Sequence, residues 1–139
     1  MGLRETREQG TAVDHEIAYQ LRRLPALLAV RQEFREEHLA LLAAEGRSSQ
    51  TELDAEMELL AGMGEYDVNG KLLSVAAKDR ELRRLKNTDE AYLAIKRDCR
   101  AAAEELARMD NEIEVCRATL SGDKARLAWL TALINMEGE

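Results

Sequence analysis

The chain has 139 residues, of which 45% are apolar, 34% are charged and only 4% are aromatic. This length suits one domain of ordinary size and argues against a multidomain enzyme. The abundance of charged residues, with a single proline, is typical of long helices and coiled coils and predicts an all-α fold. The formal net charge of -7 disfavours overall attraction to nucleic acid or to anionic lipid.

The N-terminal part, residues 1–64, is predicted to consist of helices. Apolar residues recur at helical spacing from Thr11, a candidate N-cap, to about residue 45, where Gly46 is expected to close the helix. Pro25 lies inside this segment and predicts a kink or a restart, because proline lacks the backbone donor of a helical turn.

A short second helix and a turn are expected next. Ser49 and Glu52 have the spacing of a capping box, which predicts a helix over about 51–61. Asn69-Gly70 then favours a small hairpin or tight turn within 66–73, since both residues tolerate positive φ.

The second part, residues 65–139, is expected to fold as one unit with the first. A basic helix is predicted over about 75–86, followed by a long helix over about 88–135 with Thr88 at its capped start. The apolar residues of this long helix alternate steps of three and four, which is the heptad spacing of a coiled coil. We call them the seam: Tyr92, Ile95, Cys99, Leu106, Met109, Ile113, Cys116, Leu120, Leu127, Leu130 and Ile134.

A polar interruption divides the seam. Ser121-Gly122-Asp123 predicts a local bend or a polar layer, and Trp129 and Leu130 are expected to be core anchors. A helix of about six heptads is expected to be too long for its own chain to cover. The seam is therefore predicted to pack against the N-terminal helices and a second copy, in a coiled-coil or helical-bundle homo-oligomer.

Charge is unevenly distributed along the chain. Residues 45–67 carry a net charge of -6, whereas residues 78–86 carry +3. Two interpretations follow: the acidic region of one copy binds the basic helix of another, or the basic helix binds an outside polyanion. The residues assigned to either contact are Lys71, Lys78, Arg80, Arg83, Arg84 and Lys86.

No catalytic or cofactor motif is recognisable. His15-Glu16 begins a zinc-protease motif, but Tyr19 stands where the second histidine belongs. The spacing of Cys99 and Cys116 suits neither a zinc site nor a disulfide scaffold. We therefore expect a protein that is not an enzyme and needs no metal or cofactor. Without an apolar leader or a membrane-spanning segment, a cytoplasmic location in a bacterial host is expected.

The stretch from Tyr66 onward resembles small, largely uncharacterised coiled-coil proteins of tailed bacteriophages and prophages. The resemblance rests on the order of four motifs: D-V-N-G-K-L-L-S at 67–74, A-K-D-R-E-L-R-R-L at 77–85, D-E-A-Y at 89–92 and K-A-R-L-A-W-L at 124–130. It covers roughly the C-terminal half and implies an accessory factor, often encoded near phage replication and recombination genes, without catalytic activity.

The favoured function is therefore an oligomeric assembly or adaptor protein of phage or prophage origin. One alternative is an accessory protein of recombination or replication that binds nucleic acid through residues 78–86. Another is an inhibitor whose acidic region, 45–67, occupies a host DNA-binding protein. Self-association is the expected partnership, a separate protein partner is possible, nucleic acid is not favoured and no membrane contact is expected.

Overall fold

The structure, a computed structural model, describes residues 2–43 and 47–137. These residues form four helices: α1 (Leu3–Glu37), α2 (Gln50–Gly62), α3 (Val75–Thr88) and α4 (Glu90–Glu137). No β-strand occurs among the described residues, and the all-α prediction is confirmed.

Helix α1 begins eight residues before the predicted N-cap and ends earlier than expected. The hydroxyl of Thr11 donates to the Arg7 carbonyl at 3.1 Å, which is a mid-helix contact, so the capping role assigned to Thr11 is wrong. The helix continues through Pro25 without a restart. It gives way to a turn in which the backbone N–H of Leu42 donates to the His38 carbonyl. The expected helix end at Gly46 lies outside the described residues.

The cap of α2 is correctly predicted. The side chain of Ser49 accepts a hydrogen bond from the backbone N–H of Glu52. The start of α2 is also attached to the turn after α1, because Thr51 donates to the Ala40 carbonyl through both its N–H and its hydroxyl. These contacts position the first turn of α2.

The chain reverses around Asn69-Gly70 between α2 and α3. Gly70 has a φ of 80°, a conformation that glycine adopts without strain. The carboxylate of Asp67 accepts hydrogen bonds from the N–H groups of Asn69 and Lys71 at 2.8 and 2.9 Å. Tyr66 and Leu72 form one isolated antiparallel bridge, so this segment contains no strand ladder.

Asp89 separates α3 from α4. Its carboxylate accepts a hydrogen bond from the N–H of Tyr92, which makes Asp89 the cap of α4, one residue later than predicted. Thr88 instead closes α3 and donates its hydroxyl to the Arg84 carbonyl at 2.8 Å. Asp89 is therefore the single residue between α3 and α4, and its side chain caps α4.

Helix α4 is unbroken for 48 residues and spans slightly later positions than the predicted 88–135. Ser121, Gly122 and Asp123 are all helical. The buried Oδ2 atom of Asp123 has no hydrogen-bond partner among the described residues. The polar interruption thus leaves the helical backbone intact.

The residues fall into two compact units. Unit 1 comprises residues 1–34 and 106–139, and unit 2 comprises residues 35–105. Each unit includes residues from both sides of position 64, so the units do not follow the division into 1–64 and 65–139.

Unit 1 is built from α1 and the second part of α4. Val13 and Ile17 of α1 form a hydrophobic core with Leu120 and Leu130, and Leu127 packs against it. Arg31 of α1 also forms an ion pair with Asp110 of α4. These contacts pack the long C-terminal helix against the first helix.

Unit 2 joins α2 and α3 to the first part of α4. Lys86 of α3 pairs with Glu56 of α2, with 3.0 Å between Nζ and Oε2. Lys96 of α4 lies 3.9 Å from a carboxylate oxygen of Glu52 on the same helix α2. Two ion pairs therefore attach α2 to its neighbours.

Candidate interaction surfaces

The seam is the buried face of α4 within a single chain. Cys116 and Leu130 have no exposed surface, and Ile113 and Leu120 are also buried in unit 1. Tyr92 and Cys99 are buried in unit 2. The other seam residues are half-buried: Ile95, Leu106, Met109, Leu127 and Ile134.

One chain therefore covers much of the seam. Helix α1 packs along the second part of α4, and the other residues of unit 2 pack against its first part. The five half-buried seam residues keep part of their surface exposed, and the pairing of the seam with a second copy stays a prediction.

Both cysteines of the seam are buried, unbridged and in contact with polar groups. The thiol of Cys116 lies 3.1 Å from the side-chain oxygen of Gln20 on α1. The sulfur of Cys99 lies 3.2 Å from the hydroxyl of Ser49, the cap of α2. Burial raises the pKa of the Cys99 thiol, although its contact with Ser49 acts in the opposite direction. Neither site has the exposed, electropositive surroundings of a reactive cysteine.

The basic residues of the predicted contact divide into two groups. Lys86 pairs with Glu56, and the Arg84 guanidinium binds Glu81 and lowers the pKa of that carboxyl, chiefly through a direct hydrogen bond. By contrast, Arg80 and Arg83 are exposed on α3 and make no ion pair with any residue that the structure describes.

Two lysines also belong to the predicted contact. Lys71 is exposed in the turn before α3, and Lys78 is half-buried on α3 itself. Neither side chain forms an ion pair within the described ranges 2–43 and 47–137. The outward basic face of α3 is therefore centred on Arg80 and Arg83.

Helix α2 carries an apolar face that sequence reasoning missed. Leu53, Met57 and Leu60 lie on one side of the helix, with exposed fractions of 44 to 68%. Ala55 is buried on the opposite side. The periodicity is visible in the sequence at positions i, i+4 and i+7, but the series is short and acidic residues lie between its members.

Helix α4 has a second apolar face, opposite the seam and also missed. Its residues recur at alternating steps of three and four, and all are exposed. We call this set the outer stripe: Val115, Ala118, Gly122, Ala125, Trp129, Ala132 and Met136. Trp129, expected in the core, is 56% exposed because it is on this face, whereas its neighbour Leu130 belongs to the seam.

One cleft and a search for metal-binding groups complete the description of the candidate sites. A cleft of about 470 Å³ in unit 1 is lined by one base, one acid and mainly small or apolar residues. Within residues 2–43 and 47–137, no group of three His, Cys, Asp or Glu side chains is placed to hold a metal ion. None of the helices described combines the length and the apolar character needed to cross a bilayer.

Comparison of the chain with protein-family models, with curated proteins and with solved structures gives no match.

Proposed function

We propose that this protein is a non-enzymatic assembly protein that binds other copies of itself through unit 2. In this proposal, the exposed face of α2 from one copy binds the exposed face of α3 from another. The resemblance of the C-terminal half to coiled-coil accessory proteins of tailed phages supports an assembly or adaptor role in phage or prophage biology.

The observation that carries the proposal is the opposite character of these two faces. On α2, the exposed residues Asp54 and Glu58 border the apolar face formed by Leu53, Met57 and Leu60. On α3, Arg80 and Arg83 are exposed without an ion-pair partner among the described residues. Complementary charges of this kind orient two surfaces and exclude wrong partners, while the apolar residues supply buried area.

Because both faces belong to unit 2 of the same chain, the proposed contact is compatible with a two-fold symmetric dimer. If α2 of the first copy contacts α3 of the second, a two-fold axis makes α3 of the first contact α2 of the second. The same contact is then formed twice in one dimer. This symmetry requires neither a conformational change nor exposure of the seam.

Charge reversal on α3 tests the proposal. In the variant Arg80→Glu/Arg83→Glu, the α3 face becomes acidic and repels the acidic border of α2. The dissociation constant for self-association through unit 2, measured by sedimentation equilibrium, is expected to rise about tenfold or more. Circular dichroism establishes whether the variant keeps its helices.

Arg97→Glu/Arg100→Glu provides a matched control. These arginines are exposed on α4 in unit 2 and have the same spacing of three residues. The control changes the net charge by the same amount, so it separates a local contact from the effect of overall charge. An equal loss of association in both variants contradicts the proposed interface.

Nucleic-acid binding through the same arginines is the second candidate, favoured by their exposure. The overall charge of -7 opposes it, because phosphate repulsion acts on the whole chain. A low-salt mobility shift that Arg80→Glu/Arg83→Glu removes would support this candidate. Absence of a shift at every salt concentration would eliminate it.

A further inference from the structure

The outer stripe of α4 has the spacing of a helix-binding surface. It extends over 22 positions of unit 1, or about 32 Å at 1.5 Å per residue. Its three large members, Val115, Trp129 and Met136, are exposed by 53 to 71%. Residues at alternating steps of three and four lie along one side of a helix. In a coiled coil, residues with this spacing pack against the neighbouring helix.

Gly122 supplies a separate observation. A Cβ atom at this position would meet nothing within 4 Å in the chain, so packing within the chain does not explain why the residue lacks a side chain. Glycine also weakens the middle of a helix. Close approach of a second helix to the backbone is a physical reason for glycine here, since such packing depends on small residues.

We infer that the outer stripe binds the outer stripe of a second copy, with the two α4 helices antiparallel. Alignment about the midpoint of residues 122 and 125 places Gly122 opposite Ala125 of the other copy. Trp129 then faces Ala118, and Val115 faces Ala132. Every layer from residue 115 to residue 132 therefore contains a small residue, whereas parallel alignment would place the two Trp129 rings together beside a gap at Gly122.

Charges at the ends of the stripe favour the same orientation. Arg108 and Glu137 both lie along one border of the stripe, at opposite ends. In the antiparallel alignment, Arg108 of each copy lies within one helical turn of Glu137 of the other. This gives one opposite-charge pair at each end of the contact, in addition to the pairing of Arg108 with Glu112 in its own chain.

This contact is independent of the α2–α3 contact proposed above, and the two have separate tests. The suitable sample is Arg80→Glu/Arg83→Glu, in which the unit 2 contact is broken. We expect this protein to form dimers through α4, and the fluorescence of Trp129, the single tryptophan, to shift to shorter wavelength as concentration increases. A monomer with unchanged emission up to millimolar concentration would overturn the inference without affecting the unit 2 proposal.

Ala125→Glu, added to that sample, places a charge at the centre of the stripe. We expect it to weaken the dimer at least tenfold and to remove the emission shift. Ala18→Glu is the matched control, because Ala18 is an exposed alanine in the middle of α1 in the same unit. Equal loss of dimer with Ala18→Glu and Ala125→Glu would contradict the inference.

The antiparallel orientation of the two α4 helices is tested separately. Mixing Val115→Cys protein with Ala132→Cys protein under mild oxidation should give a disulfide-linked heterodimer, since these positions face each other in the antiparallel alignment. Efficient cross-linking of Val115→Cys to itself would indicate parallel helices and overturn the alignment.

Discussion

The thiol of Cys116 donates a hydrogen bond to the side-chain oxygen of Gln20, with 3.1 Å between Sγ and Oε1. Both residues are buried at the contact between α1 and α4. A polar pair inside an apolar interface favours one register of two helices, because sliding either helix by a turn separates the thiol from this oxygen. The pair therefore contributes specificity to unit 1 as well as stability.

Removal of the Gln20 side chain should destabilise unit 1. Gln20→Ala removes the side-chain acceptor of the Cys116 thiol and opens a cavity, so the free energy of unfolding is expected to fall by about 1–3 kcal/mol in urea denaturation. Glu16→Ala is the control, because it removes only the acceptor of the Gln20 amide, at 2.8 Å. This control is expected to cost less than about 1 kcal/mol. Equal losses would show that the contact with Cys116 contributes nothing of its own.

The raised pKa of Cys99 predicts a loss of stability at high pH. Burial keeps the folded-state thiol protonated beyond the ordinary value of 9.0, so folding is favoured fully below that pH. As the pH rises above 9.0, the unfolded chain loses its proton first, and the free energy of unfolding falls. Urea denaturation at pH 7 and pH 10 should therefore show a smaller pH-dependent loss in Cys99→Ala than in the parent protein. Identical losses would contradict the burial of this thiol.

Substitution of a seam residue should affect folding rather than assembly. Leu130 is fully buried within the chain, so Leu130→Ala is expected to lower the free energy of unfolding by about 2–5 kcal/mol. This loss should be the same at low and high protein concentration. Leu21→Ala, at a half-exposed position of α1, is the control and should cost much less. A loss for Leu130→Ala that changes with protein concentration would place the seam between copies.

The cap of α2 gives a further prediction. Ser49 is buried and binds both the N–H of Glu52 and the sulfur of Cys99. Ser49→Ala should lower the free energy of unfolding by about 1–2 kcal/mol, since α2 loses its cap. Ser48→Ala, at the exposed neighbouring position, should have almost no effect in the same thermal or urea denaturation. Similar stabilities of the two variants would show that the cap is dispensable.

Local signals in the sequence predict much of the fold. The S-x-x-E spacing locates the start of α2, and the heptad series identifies the buried face of α4. Thr11 misleads because threonine also bonds to the carbonyl four residues back within a helix, and no residue from 3 to 10 stops the helix there. The sequence alone does not distinguish these two roles, because they differ in the backbone conformation at Thr11.

The partner of the seam is harder to predict from the sequence. The apolar spacing of Val13 and Ile17 on α1 matches that of α4, but periodicity alone does not say whether a matching helix belongs to the same chain or to another copy. The outer stripe is visible in the sequence from Val115 to Met136, yet its alanines and Gly122 give a weaker apolar signal than the seam.

Mixing two charge-reversed variants tests the central claim most directly. Arg80→Glu/Arg83→Glu makes both exposed faces of unit 2 acidic, and Asp54→Lys/Glu58→Lys makes both basic. Ala125→Glu is included in both proteins so that α4 does not contribute. Each variant alone should sediment as a monomer, and the mixture should form a heterodimer, because both α2–α3 contacts become attractive again. A mixture that remains monomeric, while the parent protein with Ala125→Glu forms dimers, would contradict the assignment of these two faces to one interface; a parent that also remains monomeric would contradict self-association through unit 2 itself.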